Sequence, residues 1–193
     1  MTNKKIDELK NITWNTKSCR FNAHERLLFT HKLSNYSLMC LAVYIIILSM
    51  GSKYDVKTLM FEHNDFLAII LSLFLLGIAA LESSKNRELE AIRLHESAKH
   101  INGLNRQLRL LENKTTINKV NSISKKYNIY LDSCEFNHEQ IDMCKCKYRN
   151  TDLKWPTRCF NFLWWLFYAT LQYGFYWSAI FFPPLIVLYL NII

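Results

Sequence analysis

Four side chains in the last third of the chain have the chemistry of a soft metal site: Cys134, His138, Cys144 and Cys146. Thiolate and imidazole are the common zinc ligands, and Cys134 and His138, at i and i+4, would share one face of a helix. The full spacing fits no standard finger, where paired ligands lie about two to four residues apart on both sides. Free thiols, or thiols acylated near a membrane, explain the same residues, so no metal is expected here. The remaining histidines cluster only as His24/His31 and His95/His100, seven and five residues apart. Neither spacing is one helical turn with a carboxylate partner, and exposed helical histidines are expected. The four glycines (Gly51, Gly77, Gly103, Gly174) are isolated, so no loop can cradle a phosphate, and Gly-x-Ser-x-Gly and zinc-protease motifs are missing. This pattern predicts neither catalysis nor a cofactor.

One further polar group stands out by its place: Glu82, Ser83 and Ser84, directly after sixteen residues (66–81) without a charge. A second apolar run covers residues 38–50, and the short polar stretch 51–65 separates the two. The mean hydropathy of -0.03 averages over blocks that are either apolar or strongly charged. A soluble domain spreads its core residues periodically, so such blocks predict membrane spans. We divide the chain into an interfacial amphipathic helix (1–32), a first span (33–52), an external loop (53–63), a second span (64–81), a cytosolic helical region (82–158) and a hydrophobic C-terminal region (159–193).

Charge orients this plan. Of the 24 Lys and Arg, seven lie in residues 1–32 and fifteen in residues 82–159, against three and ten acids, while the stretch 52–65 carries two against three. Basic flanks stay in the cytosol, which places the N-terminus and residues 82–159 inside a cytoplasmic membrane. Anionic headgroups, rather than nucleic acid, are the expected partner of that charge. The six cysteines, mostly in the reducing compartment, form no disulfide framework. The span cores carry no Asp, Glu, Lys, Arg or His, so no charged transport path is indicated.

Residues 3–32 space Ile6, Leu9, Ile12 (or Thr13), Phe21, Leu27 and Leu28 at roughly helical intervals among seven basic residues, as for a helix lying on the inner membrane face. Past residue 81 no turn signal appears, and residues 66–111 are expected to form one continuous helix. Its stripe Leu94, Ala98 (or Ser97), Ile101, Leu104, Leu108 and Leu111 would pair with residues 3–32 or with a neighbouring copy. Residues 117–131 form a further helical candidate. From Cys159 onward there is no charge and there are thirteen aromatic residues. Residues 160–182 are long enough for a third span, the pair Pro183-Pro184 is expected to interrupt the helix, and the C-terminus would lie outside. A broken, re-entrant segment is the alternative.

These stretches resemble a known family. Arg20-Phe21-Asn22-Ala23 and Arg26-Leu27, two closely spaced spans, and then Leu81-Glu82-Ser83-Ser84-Lys85-Asn86 and His95 are similar to the SLATT family, the SMODS and SLOG-associating 2TM effector domain. Asn137-His138-Glu139-Gln140-Ile141-Asp142 before a last apolar stretch resembles its longer branch, often found beside reverse transcriptases. The resemblance implies an all-α membrane protein: a transmembrane hairpin with a long cytosolic helical extension and a third, C-terminal span. It implies an antiphage effector, a homo-oligomer that permeabilises the inner membrane and causes abortive infection. Its activator would be a cytosolic sensor, nucleotide synthase or reverse transcriptase encoded nearby. Glu82, Ser83 and Ser84 would sit at the inner mouth. Arg20, Phe21, Ala23, Arg26, Asn137, His138 and Asp142 are carried over as motif positions without a chemical role. A non-pore anchor that recruits a cytosolic partner, or a retron's membrane effector, are the alternatives.

Overall fold

The computed structural model describes residues 2–53, 64–111 and 117–190, so most of the expected external loop, 53–63, lies outside the described residues. Six helices carry those residues: α1 (Thr2–Lys53), α2 (Asn64–Ser83), α3 (Arg87–Arg109), α4 (Ile117–Asp132), α5 (Gln140–Arg149) and α6 (Trp155–Leu190). No strand occurs among them. The protein is an all-α membrane protein, in which α1 and the α2 region hold apolar 18-residue windows of mean hydropathy 1.8 and 1.7. Windows of that length and hydropathy can cross a hydrocarbon layer of about 30 Å.

Two packed units organise the helices: Met1–Leu28 with Arg87–Tyr168, and Phe29–Asn86 with Ala169–Ile193. In the first, the periodic stripe of α3 is the core. Leu94, Ala98, Ile101 and Leu108 are fully buried and Leu104 nearly so. Ile101, Leu104 and Leu108 pack with Ile6 and Leu9 of α1 and with Val120, Ile123 and Tyr127 of α4. Ala91 and Leu94 pack with Ala23 and Leu27, flanked by Cys134 and Phe136. Ile6, Leu9 and Leu27 of the N-terminal stretch thus pack against other helices of the chain, one of the two pairings expected for the α3 stripe, while Ile12 is exposed. Polar groups lock the register: Asn105 Nδ2 donates to Thr13 Oγ1 (2.7 Å) and to the Lys10 carbonyl (3.0 Å). Thr13 Oγ1 itself donates to the Leu9 carbonyl at 2.9 Å. Such a fully partnered buried group fixes one sliding position between helices at little net cost.

Between α2 and α3 the structure differs from the continuous helix expected. The helix stops at Ser83 and resumes at Arg87. Ser83 and Ser84 turn their hydroxyls back onto the carbonyls of Ala80 and Leu81, both at 2.9 Å. The Lys85 N–H closes a tight turn on the Glu82 carbonyl at 3.1 Å. Hydroxyls that satisfy the last carbonyls of a helix compete with its continuation. Glu88 and Glu90 in the first turn of α3 then suit the positive end of a new helix dipole.

The second unit packs the C-terminal half of α1 with α2 and the latter part of α6. The buried α1 positions Thr30, Ser34, Ser37, Leu41 and Leu48 step by three, four and seven, a single face with small residues that allow close approach. Here too the expectation fails at one point: α6 continues through Pro183 and Pro184 to Leu190. A proline deprives the carbonyl four residues earlier of its donor, so Ala179 and Ile180 lose theirs. The Tyr44 hydroxyl of α1 donates to the Ile180 carbonyl at 2.8 Å. A freed carbonyl that finds a new donor is one way a membrane helix tolerates proline. The expected third-span stretch, 160–182, is shared between the units. Up to Tyr168 it belongs with the first, where Phe162 and Trp165 lie against Tyr148 at 5.5 Å between ring centres.

Candidate functional site

Most of the singled-out residues converge on the first unit, around a charge cluster between α1 and α5. Arg26, only 5 % exposed, meets the carboxylate of Asp142, 1 % exposed, in a two-pronged pair: Nε to Oδ1 at 3.0 Å and Nη2 to Oδ2 at 3.1 Å. Arg26 Nη1 reaches Glu139 Oε1 at 3.0 Å. Asp142 Oδ2 also accepts the Glu139 N–H at 3.0 Å, which caps the start of α5. Asn22 Nδ2 donates to the Asp142 backbone carbonyl at 3.2 Å. The planar guanidinium fits a carboxylate fork at two points, so this pair sets both the distance and the rotation of α5 against α1.

Glu90 of α3 lies within electrostatic reach of this cluster. Burial pushes its carboxyl up, against the pull of Arg26 and Arg87 and with the help of Glu139 and Asp142. Arg20, one and a half turns before Arg26, is also buried; its Nη1 donates to Ser97 Oγ of α3, while its Nε has no partner. Phe21 sits edge-on to the His95 ring at 5.5 Å, and the His24 ring lies 4.4 Å from His95. The His24 Nδ1–H donates to the Ala91 carbonyl at 2.9 Å. Ala23 is fully buried against α3, where any larger side chain would separate the helices. His24 and His95 therefore meet between α1 and α3 and are not exposed, whereas His100 is exposed, as expected. His100 instead stacks on Tyr130, 4.8 Å between centres.

Burial lowers the His95 imidazole, with His24 and Lys99 adding to it. Burial also lowers His138, opposed by Asp142 and reinforced by Arg20. Each ring has a buried Nδ1 without a partner. Asn137 is exposed and accepts the His138 N–H through Oδ1 at 2.9 Å. The residues weighed as zinc ligands do not converge: among the described residues, no three His, Cys, Asp or Glu side chains form a metal-sized group. Cys134 belongs to the α1–α3 core, whereas Cys146 lies beside Cys19. The hydrogen bond shared with Cys146, and then burial, push the Cys19 thiol up, and the same bond lowers Cys146.

Glu82, Ser83 and Ser84 belong to the second unit. Glu82 accepts the Tyr176 hydroxyl of α6 at 2.7 Å, and Tyr176 is 6 % exposed. This carboxylate is engaged with another helix, while the two serines close their own. Asn22, Ser97, Glu139, Tyr44 and Tyr176 were not singled out from sequence. Asn22 and Glu139 do lie inside the quoted motifs, which is the one signal that could have found them.

The model of the SMODS and SLOG-associating 2TM effector domain family 5 matches residues 2–190. The chain belongs to that family. This SLATT protein is accordingly a membrane effector of antiphage defence. No curated protein and no solved structure matches it. Within the SLATT chain, three of the motif positions make buried polar contacts between helices: Arg20 with Ser97 of α3, and Arg26 of α1 with Asp142 of α5.

Proposed function

We propose that this SLATT chain is a multi-pass protein of the cytoplasmic membrane that homo-oligomerises and permeabilises the bilayer when a cytosolic partner engages its helical unit. One observation carries the reading. α1 is a single helix of 52 residues, whose first half is held by the Arg26–Asp142 cluster and whose second half is an apolar span. α1 thus contributes both to the unit that a cytosolic partner would engage and to the unit that carries the spans. The N-terminus and the first unit lie in the cytosol by the distribution of Lys and Arg. α6 from about Ala169 onward serves as a third span, and the exposed Trp164 and Phe167 before it suit the headgroup level. The activator is a sensor, nucleotide synthase or reverse transcriptase encoded nearby, and the outcome is abortive infection. Direct nucleic-acid contact and catalysis have no part in this mechanism.

The surface for assembly is α2. Phe66, Ile69, Leu73 and Leu76 are all more than half exposed and repeat at three- and four-residue intervals. A methyl added at Gly77 on that helix would meet nothing within 4 Å. Helices associate in lipid by close packing over small residues, so a larger side chain at Gly77 spoils association between copies and leaves the fold of one copy intact. The test compares wild type with Gly77→Leu at equal membrane abundance, reading cross-linked oligomers and growth arrest in cells carrying the neighbouring genes under phage challenge. Loss of both in the variant is expected. Undiminished arrest with undiminished oligomers would overturn the use of this face, and arrest without any wild-type oligomer would favour an anchor that recruits a partner.

A further inference from the structure

Within the second unit, α1, α2 and α6 enclose a half-open cavity of about 600 Å³, within the range of about 300–1,000 Å³ for ligand sites. Its walls are apolar: Leu41 and Leu48 of α1, Leu71 and Phe74 of α2, Phe175 and Phe182 of α6. Ala179, Pro183 and Pro184 complete the α6 wall, and this places the proline pair's chemistry at the cavity. Pro184 deprives the Ile180 carbonyl of its donor, and Tyr44 replaces it. Pro183 does the same to Ala179, whose carbonyl needs another donor. The two hydroxyl side chains of the wall are Tyr44 and Ser178, and each has one hydrogen to give. Tyr44 spends it on Ile180, and Ser178 donates to the Phe175 carbonyl at 2.7 Å. Among the described residues of the wall both side-chain hydroxyls are thus engaged, and Ala179 is left with a carbonyl short of its helix donor.

We propose that this cavity binds an uncharged single-chain lipid, an aliphatic chain ending in a hydroxyl, whose hydroxyl donates to the Ala179 carbonyl. The shape and the lining select an aliphatic body. Among the described residues the lining contains no Lys, Arg, Asp, Glu or His, so an ionised head would be buried without a partner, which disfavours phosphate and carboxylate heads. An apolar space of this kind holds water poorly, leaving the ligand to supply the missing donor. The proposal does not depend on pore formation, because it concerns packing within one copy.

The test uses the full chain in nanodiscs and, as the probe, hexadecanol with a photoreactive diazirine at mid-chain. Saturable labelling is expected within residues 41–48, 70–78 or 175–186. Unlabelled hexadecanol should compete about fivefold better than hexadecane, the difference that one net hydrogen bond makes, and ionised palmitate should not compete. Ala179→Phe, which fills the cavity, should abolish the saturable labelling, whereas Leu76→Phe on the exposed face should not. Pro183→Ala returns an N–H to the Ala179 carbonyl; this variant keeps the labelling but should lose the preference for hexadecanol. It also repairs the helix, so it is expected to fold even if Ala179→Phe does not. Non-saturable labelling, or labelling that survives Ala179→Phe, would mean ordinary surrounding lipid and overturn the site. Equal competition by hexadecane, or a preference that persists in Pro183→Ala, would overturn the role of the carbonyl.

Discussion

Asp142→Asn replaces a carboxylate by an amide of nearly the same shape and removes the negative charge from a site that is 1 % exposed. Two bonds to Arg26, at 3.0 and 3.1 Å, lose their ionic component, and the Glu139 N–H at 3.0 Å keeps at best a neutral acceptor. Breaking a buried pair by removing one partner costs about 3–5 kcal/mol. Glu139 still reaches Arg26, but its side chain is 62 % exposed, and a solvent-screened pair returns at most about 1 kcal/mol. The net loss is therefore about 2–4 kcal/mol. For a chain of this size each kcal/mol moves the melting temperature by about 2–4 °C, so a drop of about 4–16 °C is expected for the full chain in detergent. Hydrogen exchange should show α5 losing protection first. Arg26→Met with Asp142→Leu removes both charges and should recover most of the loss, because an apolar pair of similar volume has no desolvation cost. The reasoning is refuted if Asp142→Asn melts within 1 °C of wild type, or if the double variant is no more stable than the single one.

Other substitutions test other contacts. Tyr44→Phe leaves the Ile180 carbonyl without a donor and should cost about 1–3 kcal/mol; adding Pro184→Ala restores an N–H and should cancel the loss in the same melting assay. Gly103→Ala should raise the melting temperature by the equivalent of about 1 kcal/mol, since an added methyl meets nothing within 4 Å. Leu94→Ala, at a fully buried position, should cost about 2–5 kcal/mol, whereas Leu89→Ala on the exposed face should stay within about 0.5 kcal/mol. The pH dependence has a definite sign. Burial lowers both His95 and His138 in the folded chain, so the unfolded chain takes up protons first as the pH falls through about 6.5. Stability is complete above that value and declines toward pH 5, and His138→Gln should flatten part of the decline in melts across that range.

What could be read from sequence was the periodic part. Leu94, Ala98, Ile101, Leu104 and Leu108 recur at helical spacing, and they are the core of the first unit because one stripe is enough to specify a buried face. The two apolar runs were legible for a different reason, their length and freedom from charge. The break after Ser83 was not, since it depends on hydroxyls choosing carbonyls of their own helix over solvent. Pro183-Pro184 carried a true local signal, the loss of two helix bonds. Its expected consequence failed because Tyr44, 136 residues earlier in the chain, supplies a donor that no local rule foresees. Likewise Arg26 and Asp142 were marked only as parts of motifs. Their pairing spans 116 residues and follows from how α1 and α5 pack. His24 and His95 show the reverse error, where neighbours in sequence were considered and the partner lay on another helix.

Membrane potential during infection tests the central proposal most directly. Cells carrying the gene with its neighbours, loaded with a potential-sensitive dye, should depolarise after phage addition and before lysis. Cells carrying Gly77→Leu at equal membrane abundance should keep their potential and release phage. Protection from phage at an unchanged membrane potential in wild-type cells would contradict permeabilisation as the mode of action.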